Sequence, residues 1–216
     1  MKPFLSETHD AEALQELGRA SVQIVHDLKN QINGLKLYAT FLRKRLEKTD
    51  GRTDELDTVA KLIAGLERAA ADMTTLARYG RPLALRRVPH VDLRRLLVAA
   101  LGREPEINCE ACLGEFDHAA LTEALRDIDV GLRAHGQQAA QLEVHLRREE
   151  QDGAPSAVIE WRGALPSNNN DACDPFNSFV GSAGLRLALA AKIIRAHGGQ
   201  IEHEAHTIRV CLPLTT

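Results

Sequence analysis

Aromatic residues are scarce in this 216-residue chain: Phe, Tyr and Trp together make up 4% of it. That is too few to build the stacking platforms that hold single-stranded nucleic acid. A basic excess is also missing. Lys plus Arg number 27 against 30 Asp plus Glu, for a formal net charge of -3, which argues against a general electrostatic binder of nucleic acid. No apolar run approaches the roughly 20 residues needed to span a bilayer. The opening stretch, MKPFLSETHDAEALQEL, turns acidic and polar where a signal peptide is apolar. The expectation is a cytoplasmic protein with neither a membrane nor a nucleic-acid partner. Cysteine is sparse too, with four residues at positions 109, 112, 173 and 211. In a reducing compartment these default to free thiols. Cys109 and Cys112 have CxxC spacing, but zinc needs two further well-placed ligands, and His118 and Cys173 show no finger spacing. No metal is expected on this chain.

What is present is an ordinary globular balance, 44% apolar and 26% charged, in a length that suits one large or two small domains. Residues 10–48 read as one long helix. Leu28, Leu35 and Leu42 are spaced seven apart, as are Ile32, Ala39 and Leu46, the seam of a helical bundle. Asp50-Gly51 interrupts the pattern. A second helix begins near Thr53, with Asp54, Glu55 and Asp57 at its positive end. Its apolar positions, Leu56, Val59, Ile63, Leu66, Ala70, Met73 and Ala77, step by three and four until Gly80-Arg81-Pro82. So short a connection predicts an antiparallel hairpin. Leu62 and Leu76 widen the apolar face beyond what one partner helix covers, so two hairpins closing a dimeric four-helix bundle are expected.

Beyond residue 80 the patterning changes. Leu83–Val91 is strand-like, and Asp92 caps a helix running to Leu101. Strands are expected around Ile107 and from Cys112 to Phe116. A helix is expected from Asp117 to about Ala134, then alternating strands at 142–147 and 157–161. A polar loop covers 166–174. A helix over 184–196 ends at His197-Gly198-Gly199, and two strands over 200–214 finish the chain. The predicted class is α+β: a hairpin domain over 1–80, then an α/β sandwich over 81–216 with one mixed sheet covered by helices on one face.

In the heptad frame, His26 lies two residues before the seam, on the outer helix face, and Lys29, Asn30 and Asn33 share that face. A largely uncharged imidazole there can act as a nucleophile, with Asp27 beside it. The string His26-Asp27-Leu28-Lys29-Asn30-Gln31 resembles the phosphoacceptor box of sensor histidine kinases. The hairpin resembles that family's dimerisation and histidine-phosphotransfer domain, and the later part its Bergerat-type ATP-binding domain. Asp174-Pro175-Phe176 is similar to the lid motif, and Gly184-Leu185 with Ala196-His197-Gly198-Gly199 to the second glycine box and its helix. Val210-Cys211-Leu212-Pro213 resembles the closing strand.

The departures cluster where the family holds nucleotide. Aligning Leu121–Leu125 with the asparagine-box helix puts Asp127 at its first Asn and Gly131 at the second, which in the family helps hold magnesium. Trp161 stands at the adenine-reading Asp of the first glycine box, and Leu165 at its later Gly. Arg186 takes a glycine position in the second box, where phosphate approaches the backbone. The resemblance therefore implies a kinase-like histidine phosphotransferase of a bacterial phosphorelay, with no cofactor of its own and Mg²⁺ supplied by the partner. His26, Asp27 and Asn30 form the reactive group, and Lys29 and Asn33 the surface for a response-regulator receiver domain. Alternatives are a divergent cytoplasmic histidine kinase that autophosphorylates at His26, and a non-catalytic regulator or phosphatase of a receiver.

Overall fold

The computed structural model describes residues 21, 25, 28–47, 53–135, 142–151, 153–163, 176, 181–204 and 207–215. The chain divides into two units, Met1–Pro82 and Leu83–Thr216.

In the first unit, α1 (residues 28–46) and α2 (Thr53–Gly80) form the hairpin. Residues 21 and 25 are also helical, and the rest of the expected helix before 28 lies outside the described residues. The acidic first turn of α2, Asp54 and Glu55, complements its positive end. Ala39, Val59 and Ile63 are buried between the helices, with Leu46 and Leu66 packed against them. Lys36 Nζ bridges the helices to Glu67 Oε1 at 2.7 Å. The two heptad series expected to form one seam separate. The series through Ala39 turns inward, whereas Leu28, Leu35 and Leu42 stay exposed together with Leu37, Tyr38, Phe41, Leu62 and Leu76. Helix packing depth explains this, because a lone partner helix covers a stripe narrower than the apolar face.

The second unit runs β1 (Val88–Asp92), α3 (Leu93–Leu101), β2 (Glu106–Asn108), β3 (Leu113–Phe116), α4 (His118–His135), β4 (Glu143–Gln151), β5 (Ala154–Arg162), α5 (Gly181–Ala196), β6 (Gln200–Glu204) and β7 (Thr207–Pro213). Five strands form a mixed sheet in the order β2-β4-β5-β7-β6. Only β2 and β4 are parallel within it.

The expectation of a single sheet is corrected: β1 and β3 pair with each other in a separate antiparallel ribbon. Two further backbone contacts anchor the ribbon. The Leu113 carbonyl accepts from the backbone N–H of Thr215, just beyond β7, and the Cys112 carbonyl accepts from Leu93 at the head of α3. Ladder groups satisfied in this way have no further strand to recruit.

Register places Trp161, Ile159 and Ala157 of β5 opposite Val144, Leu146 and Arg148 of β4, and opposite Ile208, Val210 and Leu212 of β7. The apolar members of this set are buried and share one face with the core of α4 and α5, because side chains along a strand alternate. The other face is charged. Arg147 and Arg162 grip the two oxygens of Glu160 at 2.7 and 2.8 Å, which holds that carboxyl down to about 2. Glu149 joins Arg147 to Arg209.

Local chemistry sets the helix ends. The Asp92 side chain accepts from Arg94 N–H at the start of α3. Asp117 Oδ1 accepts from Ala120 N–H and Oδ2 from Arg86 N–H, capping α4. The end of α5 turns on glycine: Gly198 has φ 79, and a Cβ on Gly199 would sit 2.6 Å from the Cys211 carbonyl, so only glycine fits there. Beside this turn His197 is buried, its Nε2 accepting from Asp117 N–H and its Nδ1 donating to the Ile193 carbonyl. The ring is therefore the neutral Nδ1–H tautomer, and it ties the cap of α4 to the end of α5.

Burial lowers the His197 pKa below its ordinary 6.5, and the neighbouring Arg87 charge adds to that, while the Ile193 contact and Asp117 oppose it. The unfolded chain then takes up this proton more readily than the folded one. The stabilisation is complete above pH 6.5 and is lost as pH falls through 6.5 toward the lower folded value. Unfolding free energy should decline over that window, by at most about 1.4 kcal/mol per pH unit from this group. In urea titrations from pH 8 to 5, His197→Gln should show a shallower decline than the wild type, and equal slopes would contradict the assignment.

Candidate functional site

The expected reactive strip starts at the head of α1. Of its members, Lys29 is half-buried and Asn30 and Asn33 are exposed. The two asparagines are three residues apart, within one helical turn, and exposed Leu37 lies one turn beyond Asn33. His26 and Asp27 lie outside the described residues.

The positions aligned with the nucleotide boxes are mostly described. Asp127 and Gly131 both belong to α4, one turn apart, the first half-buried and the second buried. Above Gly131 stands Leu187 of α5. A Cβ at 131 would meet its Cδ2 at 3.0 Å and its Cγ at 3.1 Å, distances at which one side must yield. Leu187 is itself 2% exposed. The space an asparagine side chain would occupy is thus filled by a leucine from the facing helix.

Trp161 is fully buried, flanked in register by Val144 and Ile208. Its indole Nε1 makes no hydrogen bond, so the ring acts there as packing. Arg186 is half-buried on α5, and Phe176 is buried. Asp174, Pro175 and Leu165 lie outside the described residues.

These side chains do not fit a magnesium nucleotide at the aligned positions. The adenine-reading position presents an indole without a carboxylate, and the second asparagine position has neither a ligand atom nor room for one. Carboxylates nearby are already committed: Asp129, 5% exposed, is held by Arg103 and Arg133, each at 2.8 Å. Among the described residues no group of three or more His, Cys, Asp or Glu side chains is placed to hold a metal ion. None of their helices is long and apolar enough to cross a membrane. Reading the boxes from sequence exposed the substitutions at 131 and 161 but missed Leu187, whose only signal was a large apolar residue in a glycine-box segment.

A helical hairpin followed by an α/β sandwich with this strand order defines a histidine-kinase-like core. Among solved structures, the chain is similar to full-length ShkA in complex with AMPPNP, with a TM-score of 0.63 and 19% identity over 92% of this chain. It spans 46% of the ShkA chain. It is also similar to the histidine kinase AdeS of Acinetobacter baumannii, with a TM-score of 0.53 and 15% identity, over 88% of this chain and 98% of that one. At these identities the likeness is one of fold. No protein-family model matches the chain, and no curated protein matches it in sequence.

Filling the place of an asparagine has a measurable consequence. Gly131→Asn should destabilise the protein by about 1–3 kcal/mol, the usual cost of overpacking. Adding Leu187→Ala should recover part of that loss. A double-mutant cycle by chemical denaturation checks it, and strict additivity of the two changes would contradict direct packing of 187 on 131.

Proposed function

We propose that the chain is a histidine phosphotransfer protein of a two-component phosphorelay, exchanging phosphoryl groups between receiver domains at His26 without using ATP. The observation that carries this reading is Leu187 seated over Gly131, where the kinases the sequence resembles keep an asparagine. A kinase core whose nucleotide positions are packed shut still keeps its hairpin, and phosphotransfer needs only the hairpin.

In this reading an uncharged His26 nitrogen attacks the phosphorus of a receiver's aspartyl phosphate. The P–N bond forms as the P–O bond to the aspartate breaks, and the carboxylate leaves on the receiver. Asp27 orients the ring and draws off its proton. Transfer to a second receiver runs the same step in reverse. Magnesium belongs to the receiver, where it offsets the charge of the moving group. Asn30 and Asn33 lie on the surface the receiver meets, Lys29 offsets phosphoryl charge, and Asn30 is the residue that would orient water if the protein also dephosphorylates its partner.

Dimerisation belongs to the same proposal. The exposed row of Leu28, Leu35, Phe41, Leu42, Leu62 and Leu76 is apolar surface on a two-helix unit that cannot enclose a core alone. Two hairpins closing on each other would bury it. Light scattering should find a dimer for the full chain, and a monodisperse monomer would sink this part of the reading.

The central test separates sources of phosphoryl. Incubation with labelled ATP should leave the chain unlabelled, and incubation with a phosphorylated receiver should label it. Label from ATP alone would move the assignment to a divergent kinase, and no label from either would leave a receiver-binding regulator. His26→Ala should abolish labelling while changing stability by no more than about 0.5 kcal/mol, as surface substitutions do. Asp27→Asn should slow transfer by about 10²-fold or more if it assists proton removal.

A further inference from the structure

The loop between β2 and β3 brings two thiols together. Cys109 Sγ lies 2.6 Å from Cys112 Sγ, while Cys112 is fully buried and Cys109 is partly exposed. The loop is pinned at two points, one between the cysteines and one at Cys112 itself. Cys112 gives its carbonyl to Leu93 N–H, and the Glu110 carbonyl accepts from the Arg94 guanidinium, which also clasps Asp92. The backbone is thus held in the conformation that keeps the sulfurs in contact, and closing a bond between them requires little further ordering of the loop.

Two readings of such a pair are available to chemistry. A structural zinc needs four ligands, and no third His, Cys, Asp or Glu among the described residues completes a set with these two. A dithiol that cycles with a disulfide needs only the pair and an oxidant that can reach one sulfur. Access is asymmetric in the required sense. Next to this loop, beside β2 and α3, opens a groove lined by Asp92, Arg94, Arg95, Val98, Ala99 and Ile107; Arg94 is paired there with Asp92, and Arg95 brings a second guanidinium. Among the described residues, the one cation left over after the Asp92–Arg94 pair suits a small anionic disulfide, and the attackable thiol is the outer one.

We propose that Cys109 and Cys112 form a redox-active site that closes to an intrachain disulfide by thiol–disulfide exchange with a low-molecular-weight disulfide of the glutathione type. The Cys109 thiolate attacks one sulfur of the oxidant. A Cys109–oxidant mixed disulfide forms, the oxidant's S–S bond breaks, and one thiol departs. Cys112 then gives up its proton and attacks the Cys109 sulfur, expelling the second thiol. The protein loses two electrons and two protons, and the oxidant becomes two thiols. Burial and the Cys109 contact push the Cys112 thiol up to about 12, which makes it a poor opening nucleophile. It can resolve the mixed disulfide because its target is already in contact. The site is independent of the phosphotransfer reading, since it uses no residue of the hairpin.

The test uses the full chain, reduced and then equilibrated in glutathione buffers of increasing glutathione disulfide content, quenched with acid and alkylated. Two of the four cysteines should become protected from alkylation together, and peptide mapping should find Cys109 joined to Cys112. Dithiothreitol should restore both. In Cys112→Ala, Cys109 should accumulate as the glutathione mixed disulfide, and in Cys109→Ser position 112 should stay a thiol. The proposal is overturned if both thiols remain alkylatable in the most oxidising buffer. It is equally overturned if the wild type stops at the mixed disulfide, or if either cysteine is found joined to Cys173 or Cys211. Far-UV circular dichroism of each variant matching the wild type shows that the loss of closure is not a loss of fold.

Discussion

The packing of α5 against α4 is the constraint on which the second unit depends. From Gly184 to Ile194 nearly every residue of this helix is buried, whichever side of the helix it occupies. An all-round apolar helix has no solvent face to orient it, so its neighbours must position it. Ala188, Ala190 and Ala191 are buried along it, and Leu187 fills the recess above Gly131. At its end His197 bonds to the cap of α4, while Gly199 lets the chain pass against β7. Helix, cap and closing strand are therefore one packed unit, and it occupies the positions that the sequence aligns with nucleotide binding.

A likeness to ShkA and AdeS describes how elements are arranged, and folds carry activities only through the side chains placed on them. The kinase-like arrangement persists because its core is made of buried aliphatic contacts. The polar groups of a nucleotide pocket contribute little to that core, so they can be exchanged for packing without loss of the fold. A buried indole at 161 and a leucine over a glycine at 131 fill the aligned positions. Once such a pocket is packed, a ligand would have to reopen it against buried contacts worth roughly 0.8 kcal/mol per methylene.

The charged face of the sheet makes a different contribution. Glu160 lies directly across from Arg209 in register and bonds to Arg147 and Arg162. Val158, one pleat further along that face, is 1% exposed and lies across from Arg147 and Cys211 in register. Exposed ion pairs are worth little singly, but a linked set on adjacent strands fixes register, because a slip of one residue would turn the charges into the core.

Much of this molecule was legible in its sequence. Spacing of apolar residues located the hairpin, alternation located β4, β5 and β7, and Asp92, Asp117 and Gly198 marked helix boundaries through local backbone chemistry. The acceptor string at 26–31 and the substitutions at 131, 161 and 186 were visible as residue types. What sequence could not determine is which surfaces meet. Heptad spacing marked two apolar rows on α1, and only packing turned the row through Ala39 inward while leaving Leu28, Leu35 and Leu42 outside. The ladder joins β1 to β3, and Leu113 also accepts from Thr215, more than a hundred positions along the chain. The contact of Leu187 with Gly131 joins residues 56 positions apart on different helices. Local propensity and periodicity act over one or two turns, so they decide elements. Which atoms fill a recess depends on the mutual placement of elements far apart in the chain, and that is set only when the whole core closes.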